Sequence, residues 1–323
     1  MDTQQRSERR KHRKKSRRRK IILILLAVLI LIAGYVFYEY WDGKREAEKA
    51  GTQDTELNQE YMESFEGVEE AEGVTNVLLL GADSDEYGNP RTDTIMMAQY
   101  DVDREKVKLI SFMRDSYVEI PGMGFNKINA SFSRGGPELV RKTISHNFGM
   151  DAQYYAIVDF EGFTRIVDTI SPDGVEIDVE KRMQYTDKKA GLNIDLQPGQ
   201  QKLNGEQLLH YVRFRSDNEN DFGRVRRQQK VLSTLKDEAM SFTGIMNLPR
   251  AVGTLEPFVN TNMETKKILS LGYEFITNKP GEIESFRIPA DGTYRNGRYS
   301  HAGLVLELDF EANRQALQEF LAE

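Results

Sequence analysis

Asp221, Arg224 and Gln228 carry the strongest chemical signal in this 323-residue chain. In a helix running from Asp221 to about Phe242, the 3.6-residue period sets all three on one stripe with Val225, Val231, Leu232 and Leu235. Arg226 and Lys230 fall on the opposite side, where a solvated helix keeps its charges. An acid, a guanidinium and an amide at the head of an inward stripe must be paired or must line a cavity, because burying them unsatisfied is costly. Just upstream, Arg213 and Arg215 supply two more planar forks that suit phosphate oxygens bidentately. Asp83 follows the first predicted strand, Asp93 opens the second with Arg91 just before it, and Arg114 ends the third. Carboxylates opposite several guanidiniums are what a magnesium-bound diphosphate asks for: hard oxygens for the metal, forks for the phosphates. A purely structural ion-pair network is the other reading of the same residues.

These side chains converge only if strand ends and a helix start meet. Val74 to Leu80 reads as a buried strand ended by Gly81 and a polar loop. Thr92 to Tyr100 and Val107 to Phe112 read as two further strands, and Val118 to Pro121 as a short extended piece. From Pro137 to Phe148 the pattern is helical. Tyr154 to Val158 is a strand, Phe160 to Val167 a helix and Gly174 to Val179 a strand. Asn204 caps a helix with Gln207 three residues on. Met263 to Ile276 is helical, Ser285 to Pro289 a strand and Phe310 to Leu321 a closing amphipathic helix. Strands alternating with helices predict an α/β fold, a three-layer α/β/α sandwich with a central mixed sheet. Ligands in such sheets bind at strand ends, where Asp83, Asp93 and Arg114 fall.

The net charge of −7 conceals an asymmetry. Residues 1–20 hold eleven Lys and Arg against Asp2 and Glu8, which leaves about −16 on the rest of the chain. Nucleic acid is therefore not an expected partner of the folded part. Ile21 to Tyr38 carries no charge and is long enough to cross a bilayer, with Tyr38, Tyr40 and Trp41 as an interfacial belt. Basic residues before the span orient the N-terminus to the cytoplasm and everything beyond about Trp41 outside it. The expected organisation is a cytoplasmic tail at 1–20, an uncleaved membrane anchor at 21–40, an acidic, partly helical stalk at 41–73 and a catalytic domain at 74–323. The absence of cysteine removes disulfides and thiol nucleophiles. The four histidines have no metal-ligand spacing.

Several ordered motifs carry a resemblance. They are Gly81-Ala-Asp83, Arg91-Thr-Asp-Thr-Ile-Met96, Met113-Arg-Asp115, Ile120-Pro-Gly122, Lys127-Ile-Asn-Ala130, Gly135-Gly136, Leu203-Asn-Gly-Glu-Gln207, Tyr211-Val-Arg-Phe-Arg215 and Asp221-Phe-Gly-Arg-Val-Arg-Arg-Gln228. Together, over roughly Val74 to Leu235, they resemble the LytR-CpsA-Psr family. The resemblance implies a Gram-positive envelope phosphotransferase that moves a polymer such as wall teichoic acid from an undecaprenyl diphosphate carrier to peptidoglycan. It implies magnesium, or manganese, on Asp83 and Asp93. Arg91, Arg114, Arg213, Arg215 and Arg224 would bind the diphosphate, Asp221 and Gln228 would complete the shell, and Lys127 would add a cation near the head group. The acceptor would be the C6 hydroxyl of N-acetylmuramic acid, with Asp83 or Asp93 taking its proton.

Two positions depart from the family pattern. Asp85 stands where an arginine is usual after Gly81-Ala-Asp-Ser, and Met113 stands where proline usually precedes the Arg-Asp pair. The acid predicts a shifted donor preference. This version is most similar to the subset described as regulators of envelope or methicillin-resistance phenotypes. A hydrolase acting on the same lipid diphosphate and a non-enzymatic envelope sensor are the alternatives.

Overall fold

The computed structural model describes residues 30–31, 34–45, 55–69, 73–84, 90–187, 191–216, 220–255 and 258–323. The basic tail lies outside the described residues, as do 21–29 and 32–33 of the expected anchor. Residues 34–45 are helical (α1). No helix among the described residues is long and apolar enough to cross a membrane.

In chain order, α2 (Thr55–Ser64) leads into β1 (Val74–Ser84), β2 (Pro90–Asp101), β3 (Lys106–Phe112), β4 (Ser116–Ile120) and β5 (Gly124–Lys127). Next come α3 (Asn129–Phe148), β6 (Tyr154–Val158), α4 (Phe160–Ile170), β7 (Val175–Val179), β8 (Met183–Asp187), β9 (Leu192–Leu196) and β10 (Gly199–Leu203). Three helices follow, α5 (Gly205–Arg213), α6 (Asn220–Met240) and α7 (Phe242–Leu255). The chain closes through β11 (Val259–Thr261), α8 (Thr265–Asn278), β12 (Ile283–Ile288), β13 (Tyr294–Tyr299), β14 (Gly303–Leu308) and α9 (Phe310–Ala322).

The central sheet has the order β11-β6-β1-β2-β3-β12 and is mixed. β1 pairs with β6, and β3 with β12, in parallel; the other pairings are antiparallel. Side chains alternate across it. Leu78, Leu80, Ile95, Met97, Ile110 and Phe112 share one face with Phe132, Val140, Ile144 and Phe148 of α3 and Leu317 of α9, and all are buried. The other face is filled less tightly. Val77, Leu79, Ala98 and Tyr100 are only half-buried there, Tyr100 meets Phe275 of α8 at 5.8 Å, and no residue of α8 is buried. This mixed α/β architecture agrees with the strand and helix pattern of the sequence.

The structure extends the core upstream of Val74. Phe65, in the segment expected as a stalk, is buried with its ring 4.7 Å from Tyr155, and Tyr61 lies 6.0 Å from Phe132. Two aromatics in an otherwise polar stretch have no periodicity to announce them. Their seat depends on a break in α3, where Gly136 takes φ +56° and ψ −155°. A Cβ there would lie 2.5 Å from the Tyr61 ring, so only glycine fits. The regular helix resumes at Pro137, whose fixed φ suits a first helical position.

α6 is held on two sides. Val231 and Leu235 join a core built by β7, β8, β9, β10, α4 and α5. Val225 packs with Met113 and Leu306 above the small sheet β13-β14-β4-β5. These contacts fix the first turns of α6 over the ends of β2 and β3.

Candidate active site

The site begins with a β-bulge. Gly81 pairs with Thr94 and Ala82 with Thr92, so Asp93 is the extra residue that faces no partner. Bulges of this kind re-aim a side chain away from the regular pleat. Thr92 Oγ1 spans the bulge, 2.9 Å from the Gly81 carbonyl and 2.8 Å from that of Thr94, and both lie in reach of its single proton. The close approach needs Gly81, because a Cβ there would lie 2.9 Å from Cβ of Thr94. From above, Gln228 Nε2 donates to Thr94 Oγ1 at 2.7 Å and ties α6 to the bulge.

Four charges alternate around the re-aimed carboxylate. Arg114 Nη1 donates to Asp93 Oδ1 at 2.6 Å, and its Nε and Nη2 both lie 3.1 Å from Asp221 Oδ2. Arg224 Nη1 is 3.3 Å from Asp221 Oδ1 and 3.7 Å from Asp93 Oδ2, and Nη2 donates to the Asp93 carbonyl at 3.2 Å. Asp115, 3.7 Å from Arg114 Nε, links the knot to Lys127 Nζ at 2.6 Å. The Arg224 side chain is 5% exposed and that of Asp93 is 55% exposed, so the knot is buried on the helix side and open at Asp93. Asp221 Oδ1 and Arg224 Nε are buried without an aligned hydrogen bond. Such groups mark a site whose polar partners are not all protein.

The electrostatics follow from this packing. Burial alone would raise the Asp93 carboxyl, but Arg114, Arg224 and Arg215 outweigh it and hold it below the usual carboxylate range. Burial acts against the charge of Arg114, yet Asp93 and Asp221 win and raise it. For Arg224 burial prevails and lowers it despite Asp221 and Asp93. A guanidinium retains its proton in any case. The arrangement is a charge-balanced knot of arginines and carboxylates with the half-exposed Asp93 at its lip, suited to an anion that brings its own counter-ion.

The residues expected from the sequence are placed as follows. Asp93, Arg114, Asp221, Arg224 and Gln228 converge directly. Lys127 joins through Asp115. Arg215 is exposed and acts on Asp93 through space. Arg213 ends α5 with its guanidinium 4.1 Å from the Phe160 ring centre, one flank away from the knot. The backbones of Asp83 and Arg91 pair across β1 and β2, while their side chains, and all of Asp85, lie outside the described structure. Sequence reasoning missed Asp115 as a bridge and Arg227 altogether. Arg227 is 1% exposed, faces Glu180 at 3.5 Å, and donates to the Phe214 carbonyl. Its position four residues before Val231, at the edge of the inward stripe, was the available signal.

Comparison with known proteins settles the relationship. The LytR_cpsA_psr family model matches residues 36–318. The chain belongs to the LytR-CpsA-Psr family. Within that family it is 40% identical over 289 residues to the regulatory protein MsrR of Staphylococcus aureus strain COL, covering 90% of this chain and 85% of the relative. It is 31% identical over 252 residues to the polyisoprenyl-teichoic acid–peptidoglycan teichoic acid transferase TagU of Oceanobacillus iheyensis, covering 75% and 72%. Its fold is similar to that of TagT of Bacillus subtilis with bound octaprenyl pyrophosphate lipid, with TM-score 0.58 and 24% identity over 80% of this chain and 94% of the other. The LytR-CpsA-Psr members named as transferases act on teichoic acid, and the MsrR relative is named for regulation.

Proposed function

We propose that this protein is a membrane-anchored phosphotransferase that moves an anionic glycopolymer from an undecaprenyl diphosphate carrier to peptidoglycan outside the cell. The observation that carries this reading is the alternating knot of Asp93, Arg114, Asp221 and Arg224, with Asp93 re-aimed by a bulge to its open side. In the proposed reaction a sugar hydroxyl of the acceptor attacks the phosphorus next to the polymer. The bond to the second phosphate breaks, undecaprenyl phosphate leaves, and a phosphodiester joins polymer and wall. Charge on the transferring group is what the protein must offset, and positioned guanidiniums do so. Arg114 and Arg224 are prepaired with carboxylates, so they stand in place before the donor arrives.

A divalent cation would rest on Asp93, whose carboxylate is half-exposed, and no group of three or more His, Cys, Asp or Glu side chains suited to a metal is found among the described residues. Magnesium is typically held by one or two carboxylates plus substrate phosphates, so Asp93 with Asp83 would suffice for magnesium or manganese. When bound, the metal would neutralise phosphate charge. The proton of the attacking hydroxyl would pass to Asp83 or Asp93. The half-buried Val77, Leu79 and Ala98 on the sheet face toward α8 would offer apolar surface to the prenyl tail, and the uncharged run at 21–38 would be the anchor.

Product analysis tests this. The protein, magnesium and a lipid-diphosphate-linked sugar are incubated with and without uncross-linked peptidoglycan. A covalent glycan–phosphodiester product that requires the acceptor supports transfer. Free phosphorylated sugar in both arms sinks it in favour of hydrolysis. The name of the MsrR relative favours a regulatory second reading, in which a folded Arg114→Ala variant would leave the cellular phenotype intact.

A further inference from the structure

α1 is fastened along α7. Tyr35 Oη donates to the Met246 carbonyl at 3.4 Å, and Arg250 pairs with Asp42 at 3.0 Å and with Glu39 at 3.7 Å. Gly43 lies against the Arg250 carbonyl, and Gly253 against that of Tyr40, so closely that neither has room for a Cβ. Residues 35, 39, 42 and 43 thus meet residues 246 and 250, and Tyr40 meets Gly253, in the same order. The two helices run parallel, side by side.

This pairing acts as a depth gauge. The uncharged run of the sequence ends at Tyr38, with Glu39 the first charge after it. Tyr35 lies three residues inside that run, about 5 Å along a helix at 1.5 Å per residue. Met246 is at the level of Tyr35 and Arg250 at the level of Glu39 and Asp42. Large apolar side chains are exposed on the same part of the molecule. Met246 is 39% exposed, and α8, which meets α7 where Gly272 approaches Leu248, exposes Leu269 and Tyr273. On α1, Phe37, Tyr38 and Trp41 are exposed as well. Aromatic and apolar residues displayed beside the end of an anchor suit the lipid–water interface.

We infer that the first two turns of α7, with the adjoining outer flank of α8, lie in the outer interface of the bilayer. This rests on the anchor reading proposed above. The occupant of the exposed apolar surface is the lipid itself, because the chain entering α1 is the anchor and the contacts of Tyr35 and Arg250 leave α7 no other depth.

Because the chain has no cysteine, single labels are clean. The full-length protein, reconstituted in phosphatidylglycerol-containing vesicles, would carry an environment-sensitive fluorophore at Leu31→Cys, Met246→Cys, Tyr273→Cys or, on the small sheet, Leu304→Cys. All four positions are exposed in the protein, so labelling leaves packing intact. The expected result is blue-shifted emission, quenching by spin-labelled lipid and a several-fold loss of iodide quenching at 31, 246 and 273, with 304 behaving as in water. Lipid contact at 31 with water at 246 and 273 overturns the docking alone. Water at 31 as well overturns the anchor and the docking together. Shielding of 246 from both iodide and spin-labelled lipid, which indicates a protein partner, also overturns it.

Discussion

Replacing Arg224 by methionine separates a binding role from a structural one. Arg224 touches Asp221 at 3.3 Å and Asp93 at 3.7 Å, and it is nearly fully buried. Its removal takes the Arg224 contact from Asp221 Oδ1 but does not leave the carboxylate unpaired, because Arg114 holds Oδ2 at 3.1 Å. It does not orphan Asp93 either, which keeps Arg114 at 2.6 Å and is half in water. Methionine fills much of the vacated volume, and because Arg114 still pairs with both carboxylates the change stops short of about 3–5 kcal/mol, the cost of an uncompensated buried charge. The fold should therefore lose about 1–3 kcal/mol. Diphosphate binding should suffer far more. A charge-assisted hydrogen bond is worth about 1.5–3 kcal/mol, which corresponds to about 10- to 150-fold in affinity. Calorimetric titration with a short-chain prenyl diphosphate, beside a thermal melt, measures both. Affinity within threefold of the parent would refute the assignment of Arg224 to the diphosphate. A collapsed melt with no folded fraction would refute the claim that Arg114 suffices to hold Asp221.

Three further outcomes follow. Arg114→Met should destabilise more than Arg224→Met, by about 1–3 kcal/mol in denaturant titration, because Arg114 pairs with Asp93, Asp115 and Asp221 whereas Arg224 touches only Asp93 and Asp221. For Glu138, burial would raise the carboxyl, but hydrogen bonds from Arg141, Lys142 and the Glu66 amide outweigh it and hold it below its unfolded value. Its contribution to stability is thus complete above the unfolded carboxylate range and fades as pH falls through the lower folded value, so Glu138→Gln should flatten the acid limb of a stability–pH curve below about pH 4. Gly136→Ala should cost about 1–3 kcal/mol through its positive φ, with further loss from the clash with Tyr61; a parent-like melting temperature would show that the 55–69 segment does not pack on α3.

Much of the site was legible because it sits on one helix. A 3.6 period placed Asp221, Arg224 and Gln228 with Val225 and Val231, and the Asn204–Gln207 box marked the start of α5, as observed. Apolar runs bounded by turn residues recovered β1, β2, β3 and β6. Other features had no local signature. The aim of Asp93 depends on which residue of β1 faces Thr92, and register is a property of two strands rather than one. Phe65 and Tyr61 stand in an acidic stretch without periodicity, and the burial of Phe65 is decided by Tyr155 and α3, far along the chain. Leu192, Ile194 and Leu196 do alternate with polar residues, but five residues beside a polar turn give a weak signal. Arg227 was hidden by its neighbour, since two adjacent arginines look alike until Glu180 and Phe214 bury only one.

The most direct test of the central claim is a single-turnover measurement of sugar-phosphate transfer from a lipid diphosphate to uncross-linked peptidoglycan, comparing the parent with Asp93→Asn at matched folding. If the re-aimed carboxylate and its arginines carry the reaction, the variant should be slower by about 100-fold or more, the scale on which one positioned electrostatic group acts in a transition state. Transfer by Asp93→Asn at the parental rate would contradict the account, since the bulge at Asp93 would then serve the fold alone.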